Sequence, residues 1–213
     1  VHTTHSPDSW ISPQELDNIM TAKEIDGVAI TDHNTLKGCL EAKAFTKRLI
    51  VPGMEIRTSL GEVLALFTQT EIRSSEFHSV VDEIRSQGGI VALPHPYDWL
   101  RRNRLRIDRI NDDDLKRTFD AVEVFNARCL LNAFNSKARQ LATKLELPMI
   151  AGSDAHTPNE IGHGVTLCRD AETVEDVHKA LMKGENSVCG VASSPFVHLA
   201  TLRRRLTHVL GSM

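Results

Sequence analysis

The sequence predicts an α/β chain built on a mostly parallel sheet that closes, or nearly closes, into a barrel. Short apolar runs alternate with amphipathic helical segments, the pattern of repeated strand–helix units. Residues able to bind metals stand just after those runs: His33, Glu55, His95, Asn126, Asp154 and His156. In a barrel of such units the C-terminal strand ends share one face, whereas an open doubly wound sheet gathers its ligand at one crevice. Contributions from so many strand ends favour the barrel.

Taken in order, Val1 to Asp8 is polar and holds two histidines and an aspartate. Ser12-Pro13-Gln14-Glu15 marks a helix start, with Ser at the N-cap, Pro at the first helical position and Glu placed for a capping box. Leu16, Ile19 and Met20 form its apolar stripe. Gly27 to Ile30 is a buried-strand candidate ending at Thr31-Asp32-His33-Asn34, and a helix is expected from about Leu36 to Arg48. Leu49 to Ile56 is a second strand, Leu60-Gly61 a turn, and Glu62 to Phe67 the returning strand. Phe77, Val80, Val81 and Ile84 have helical spacing, and Gly88-Gly89 ends that helix. Ile90 to Leu93 is a strand ending at Pro94-His95-Pro96, followed by an arginine-rich loop from Tyr97 to Arg106. Ala121 to Phe125 is a strand ending at Asn126, and Leu130 to Leu145 a helix. Val165 to Cys168 is a last inner strand, and Thr173 to Lys183 a helix stopped by Gly184. From Leu202 the chain is basic and reads as a tail or short helix.

Composition narrows the function classes. A chain of 213 residues is expected to form one domain with a full core. A formal net charge of −3 argues against a general nucleic-acid or membrane-surface binder. Cys39, Cys129, Cys168 and Cys189 are widely spaced, with no Cys-x-x-Cys pair, and read as reduced thiols of a cytoplasmic protein. No apolar run approaches the roughly 18 residues that span a bilayer, and no signal-peptide pattern is present. The sequence starts at Val1 without an initiator methionine, which fits a processed, trimmed or incompletely recorded form.

The stretch from Pro148 to His156 carries the chemistry most openly. An apolar run stops at Gly152-Ser153, and a carboxylate and an imidazole follow one residue apart. In an extended chain, side chains at i and i+2 share a face, so Asp154 and His156 can converge on one ion. An oxygen and an imidazole nitrogen suit Zn, Mn or Fe better than Ca. The competing reading makes Asp154 a helix cap and His156 a loop residue. Recurrence of the pattern along the chain favours ligation.

His2-Thr3-Thr4-His5-Ser6-Pro7-Asp8, Thr31-Asp32-His33, Pro52-Gly53-Met54-Glu55, Pro94-His95-Pro96, Phe125-Asn126 and Gly152-Ser153-Asp154-Ala155-His156 occur in this order. Together they resemble the PHP (polymerase and histidinol phosphatase) domain family, from Val1 to about Ser194. The resemblance implies a distorted seven-stranded (βα) barrel, TIM-barrel-like, as a catalytic domain over residues 1–194, with 195–213 as its basic tail or short helix. It implies two or three divalent metal ions and hydrolysis of phosphate esters by a metal-activated hydroxide. It places His2, Glu55 and Asp154 on a first metal, with Glu55 bridging to a second that His95 also binds. Asn126 stands as a further ligand or near neighbour of the second metal, and Asp8, His33 and His156 hold a third. Glu55, Asp154 and His156 are the residues expected to act in catalysis.

The family opens with Asp-x-His-x-His, of which only the last histidine, His2, is present. His2 is therefore expected to be a poorly positioned ligand at a fraying end. Asn126 is a weaker ligand than the usual His, Cys or carboxylate.

Arg57 and Arg128, after Glu55 and Asn126, are candidates to grip a phosphate, and His163 to face substrate; surface arginines are the equal alternative. Asp32 is a candidate to orient an imidazole from behind. The loop from Tyr97 to Arg106, with Trp99, reads as a solvated loop or as a flap over a phosphorylated or nucleotide substrate. The expected partner is a small phosphorylated compound or nucleotide, with short nucleic-acid ends also in range and no membrane. Two rivals are a PHP-like binding module with a decayed metal site and a metal-dependent amidohydrolase.

Overall fold

The apolar spacing of the chain translates directly into strands and helices in a computed structural model, which describes residues 1–211. Ser12 caps a short 3-10 turn by accepting from Gln14 N–H, and α1 (Leu16–Ala22) follows with Leu16 and Met20 buried. Strands β1 (Gly27–Ile30), β2 (Leu49–Thr58), β3 (Gly61–Leu66), β4 (Ile90–Leu93), β5 (Ala121–Asn126) and β6 (Met149–Gly152) lie side by side in sequence order. The pairs β1–β2, β4–β5 and β5–β6 are parallel, while β2–β3 and β3–β4 are antiparallel. The antiparallel part arises from a tight hairpin, in which Thr58 pairs with Gly61. Gly61 sits at φ +136°, and a side chain there would meet the Leu105 backbone at 2.4 Å. Glycine is the residue that tolerates both demands.

The sheet departs from the expected seven-stranded barrel. Six strands form one sheet, and β7 (Gly164–Cys168) pairs antiparallel with β8 (Asn186–Gly190) in a separate two-stranded sheet. Thus β7 is not an inner strand of the main sheet. The helix expected over Leu36–Arg48 is shorter, α2 (Lys37–Ala42), because Ala44 and Phe45 N–H donate three residues back and tighten the chain into turns.

Helices α3 (Phe77–Ser86), α4 (Asp112–Thr118), α5 (Asn132–Leu145) and α6 (Val174–Lys183) complete the layers. The α3 stripe Phe77, Val80, Val81 and Ile84 is buried against Val63, Val91 and Leu93 of the sheet. Truncating a side chain such as Ile84, fully buried, costs about 2–5 kcal/mol through lost transfer energy and the cavity left behind. The basic C-terminal segment is helix α7 (Val197–Gly211); Ser212 and Met213 lie outside the described residues. Among the described residues no helix is long and apolar enough to cross a membrane.

The opening residues are not frayed. Val1 donates to Ala29 O at 3.0 Å, Thr31 N–H to Val1 O at 2.9 Å, and His2 N–H to Ala155 O at 2.9 Å. These bonds tie the segment to the end of β1 on one side and to the loop after β6 on the other. Asp32, fully buried, then accepts from Thr3 N–H at 2.6 Å, Thr3 Oγ1 at 2.6 Å and Ser6 Oγ at 2.7 Å.

Candidate metal centre

The parallel pairing of β1 with β2 runs beyond Ile30 and Pro52 to an isolated bridge between His33 and Glu55. Asn34, in the left-handed region at φ 55°, turns the chain there and donates to Glu55 O. His33 Nδ1 consequently stands 3.1 Å from Glu55 Oε2. His95 follows β4 at φ 29°, with its N–H bound to Glu123 Oε2 at 2.8 Å. Its Nε2 lies 3.2 Å from the other oxygen of Glu55, Oε1. Asp154 follows β6 at φ 49°. Non-glycine residues in this region are uncommon and concentrate where the surrounding structure imposes them for function.

His2 Nε2 lies 3.2 Å from Asp154 Oδ1 and 3.6 Å from Glu55 Oε2. Behind the ring, Nδ1 meets Ser6 Oγ at 3.2 Å, and the Ser6 hydroxyl donates to Asp32. With that proton spent on Asp32, Nδ1 must be the donor to Ser6, so Nε2 presents a lone pair to two carboxylates. Burial, followed by the charges of His156 and His33, lowers the His2 pKa to about 4, so the ring is neutral at neutral pH. A lone pair turned towards two carboxylates fits a cation between them. Asp8 lies 3.6 Å from His33 Nε2 and 3.5 Å from His156 Nε2. The ligand atoms of His2, His33 and His156 all lie within 4.8 Å of one another, as do those of Glu55, Glu62 and His95.

Electrostatics separates the carboxylates into two kinds. Burial raises the pKa of Glu55, but hydrogen bonds to His33 and His95 outweigh it and hold the group well below the carboxylate range. For Asp154 burial is likewise outweighed, by Arg101 and then His2. Asp8 is also depressed, burial being overcome by His156 and His33. Glu62 and Glu123 shift upwards, chiefly through burial. On His33 burial is overcome by Asp8 and Glu55, which raise it to about 10.

Seven expected ligands therefore converge: His2, Asp8, His33, Glu55, His95, Asp154 and His156. Asp154 and His156 do so through a turn, because β6 stops at Gly152 and the extended alternation does not reach them. Asn126 is buried beside the cluster with its amide engaged: Nδ2 donates to Glu123 Oε2 at 3.1 Å, and Oδ1 accepts from Arg128 N–H at 2.9 Å. Arg128, expected at a phosphate, is buried and spends its guanidinium on His156 Nδ1 at 2.7 Å, Glu160 at 3.1 Å, Val197 O and Thr201 of α7. It braces His156 instead. Arg57 is exposed, and its N–H is bonded to Asn34. His163 bonds Ser193 Oγ at 2.8 Å and lines a cavity of about 920 Å³ that His2, Glu55, His95 and Asp154 also line. Asp32 orients His2 through Ser6.

Two candidate site residues escaped the sequence reading, and a third, Arg101, was read only as one of the arginines of a loop or flap. Glu123 had a signal, a charge inside the apolar run Ala121 to Phe125. Glu62 resembled a polar residue beside a turn. Arg101 pairs with Asp154 from the long loop, and nothing in the sequence distinguishes it from the neighbouring arginines.

Comparison with known proteins places this geometry. A PHP-associated family model matches residues 132–186. Two uncharacterized proteins of Methanocaldococcus jannaschii are similar in sequence. MJ0417 is 37% identical over 138 residues, 63% of this chain and 54% of that protein. MJ1587 is 39% identical over 125 residues, 57% of this chain and 70% of that protein. The chain thus spans about half the length of the first and over two thirds of the second. Among solved structures, a two-domain protein of Bacteroides vulgatus containing a predicted PHP-like metal-dependent phosphoesterase superposes with a TM-score of 0.73. It is 16% identical, and the match covers 96% of this chain and 68% of that one. With the strand-end cluster, the matched model and the fold of this neighbour in agreement, the chain belongs to the PHP domain family.

Proposed function

We propose that this chain is a metal-dependent phosphoesterase acting on a small phosphomonoester or nucleotide. The observation that carries the reading is Glu55, whose two oxygens face different imidazoles, His33 and His95, from the middle of the cluster. A carboxylate so placed is suited to bridge two cations. His2, Glu55 and Asp154 would hold the first, Glu55 and His95 the second, with Glu62 or Asn126 at its edge, and Asp8, His33 and His156 the third. Bound Zn, Mn or Fe would neutralise phosphoryl charge and acidify water for attack.

The chain's own groups do the rest. The Asp32–Ser6 pair fixes the His2 ring, and the Asp154 carbonyl, accepting from Nδ1 at 2.8 Å, fixes His156, so neither imidazole needs to reorganise during reaction. Buried Glu62, raised in pKa and 4.0 Å from His95 Nε2, is suited to hold a proton beside the cluster.

The test is elemental analysis together with turnover of p-nitrophenyl phosphate, nucleoside monophosphates and an amide panel. Phosphate-ester turnover that falls sharply in Asp154→Asn and His95→Ala, with reduced metal content, is expected. No transition metal after soaking, or turnover confined to amides, would overturn the reading.

A further inference from the structure

We propose that Arg101 grips the non-bridging phosphoryl oxygens of the substrate, and that its pairing with Asp154 is a resting contact exchanged when substrate enters. The proposal rests on the phosphoesterase reading above and adds the residue that recognises the phosphoryl group.

Arg101 lies on the loop that leaves His95. That loop is pinned at one point: Asp98 N–H donates to His95 O at 3.0 Å, Arg101 N–H donates to Asp98 O at 3.0 Å, and Arg101 Nε donates to Asp98 Oδ2 at 3.0 Å. Asp98 is buried, so this edge of the guanidinium is held in place. The opposite edge enters the cluster, with Nη2 on Asp154 Oδ2 and 3.5 Å from Asn126 Oδ1. Nη1 makes no hydrogen bond among the described residues.

Asp154 divides its oxygens: Oδ1 faces His2 Nε2 at 3.2 Å, while Oδ2 carries Arg101. The guanidinium therefore stands at the rim of the candidate ligands without taking the oxygen turned to His2. A planar, permanently charged fork with donors to spare at such a rim matches the oxygens of a phosphoryl group.

The neighbouring arginines do not compete for this role. Arg102 and Arg106 are exposed, and Arg104 stacks over Trp99 at 4.6 Å. Arg128 is also at the cluster, but its buried guanidinium is already engaged, 2.7 Å from His156 Nδ1 and 3.1 Å from Glu160 and donating to Val197 O and Thr201. Arg101 combines entry into the cluster, a side chain still 22% exposed, and an arm set on an irregular loop rather than in the sheet.

The experiment uses metal-loaded parent protein, Arg101→Ala and Arg101→Lys. Calorimetry gives the Kd for inorganic phosphate, steady-state kinetics give KM and kcat for p-nitrophenyl phosphate, and metal stoichiometry and Tm are recorded for each. In Arg101→Ala, both the phosphate Kd and the KM should rise about 10-fold to 100-fold, the range expected for losing hydrogen bonds to a charged group. The change in kcat should be smaller and metal stoichiometry unchanged, with Arg101→Lys recovering part of the affinity. Phosphate Kd within about twofold of the parent in both variants would overturn the proposal. So would a loss of bound metal that accounts for the change, because Arg101 would then be a brace for Asp154. A parent that binds phosphate but hydrolyses no ester would sink the phosphoesterase reading, and the calorimetric comparison would still decide the role of Arg101.

Discussion

Asp32 offers the sharpest test of how this fold holds its site. Its fully buried carboxylate accepts three hydrogen bonds, from Thr3 N–H, Thr3 Oγ1 and Ser6 Oγ. Hydrogen bonds to a charged group contribute about 1.5–3 kcal/mol each, but three on one carboxylate are not additive. In Asp32→Ala the donors are left buried with no acceptor, and a loss of about 3–5 kcal/mol is expected, as for other buried charged networks that lose one member. Asp32→Asn keeps a carbonyl oxygen for Thr3 N–H and Ser6, and the Thr3 hydroxyl can rotate to accept from the new amide. Its cost should be only about 1–2 kcal/mol. Urea denaturation of chelator-treated protein measures both. Because Ser6 turns His2 towards the cluster, Asp32→Ala should also weaken metal binding by the protein by about 10-fold to 100-fold. A stability change below about 1 kcal/mol in Asp32→Ala, with metal affinity unaltered, would refute the claim that this carboxylate organises the opening segment.

Three further outcomes follow from the same geometry. Glu55→Gln should lower metal stoichiometry and turnover more than Asn126→Ala, since Glu55 faces both His33 and His95 whereas the Asn126 amide is already bonded to Glu123 and Arg128; elemental analysis of the two variants compares them. The His33 pKa is raised to about 10, burial being outweighed by Asp8 and Glu55, so a proton must leave before the ring can bind metal. Below that value metal affinity should climb by about tenfold per pH unit from this group. In metal-free protein its stabilising contribution is complete below the ordinary histidine pKa and fades as pH rises through about 10, which competitive titration and urea melts at several pH values will show. Arg128→Ala leaves Glu160, 1% exposed, without its cation and should cost about 3–5 kcal/mol, measured by urea denaturation, with Arg128→Met plus Glu160→Gln recovering part of the loss.

By itself the sequence determined the strands and helices whose apolar spacing is unambiguous. The stripe Phe77, Val80, Val81 and Ile84, the cap at Ser12, and the runs that became β1, β4, β5 and β6 were all legible in it. It also held the candidate ligands, because His33, His95 and Asp154 stand where an apolar run stops and a polar residue has no local reason to be. What burial periodicity cannot encode is which edge a strand pairs with. The returning strand after Leu60-Gly61 was legible as well, but only the tertiary structure sent β7 to β8, whose run Asn186 to Gly190 is too weakly apolar to announce itself. The Val1 end, expected to fray, is held by bonds to Ala29 and Ala155 from distant parts of the chain. The arginines were decided in the same way. Arg57, Arg101 and Arg128 look alike in a sequence, and one became exposed, one entered the cluster and one became a buried brace. A charged side chain takes its role from the counter-charges that folding sets beside it, and Asp154 and Glu160 come from segments far along the chain from the arginines they meet.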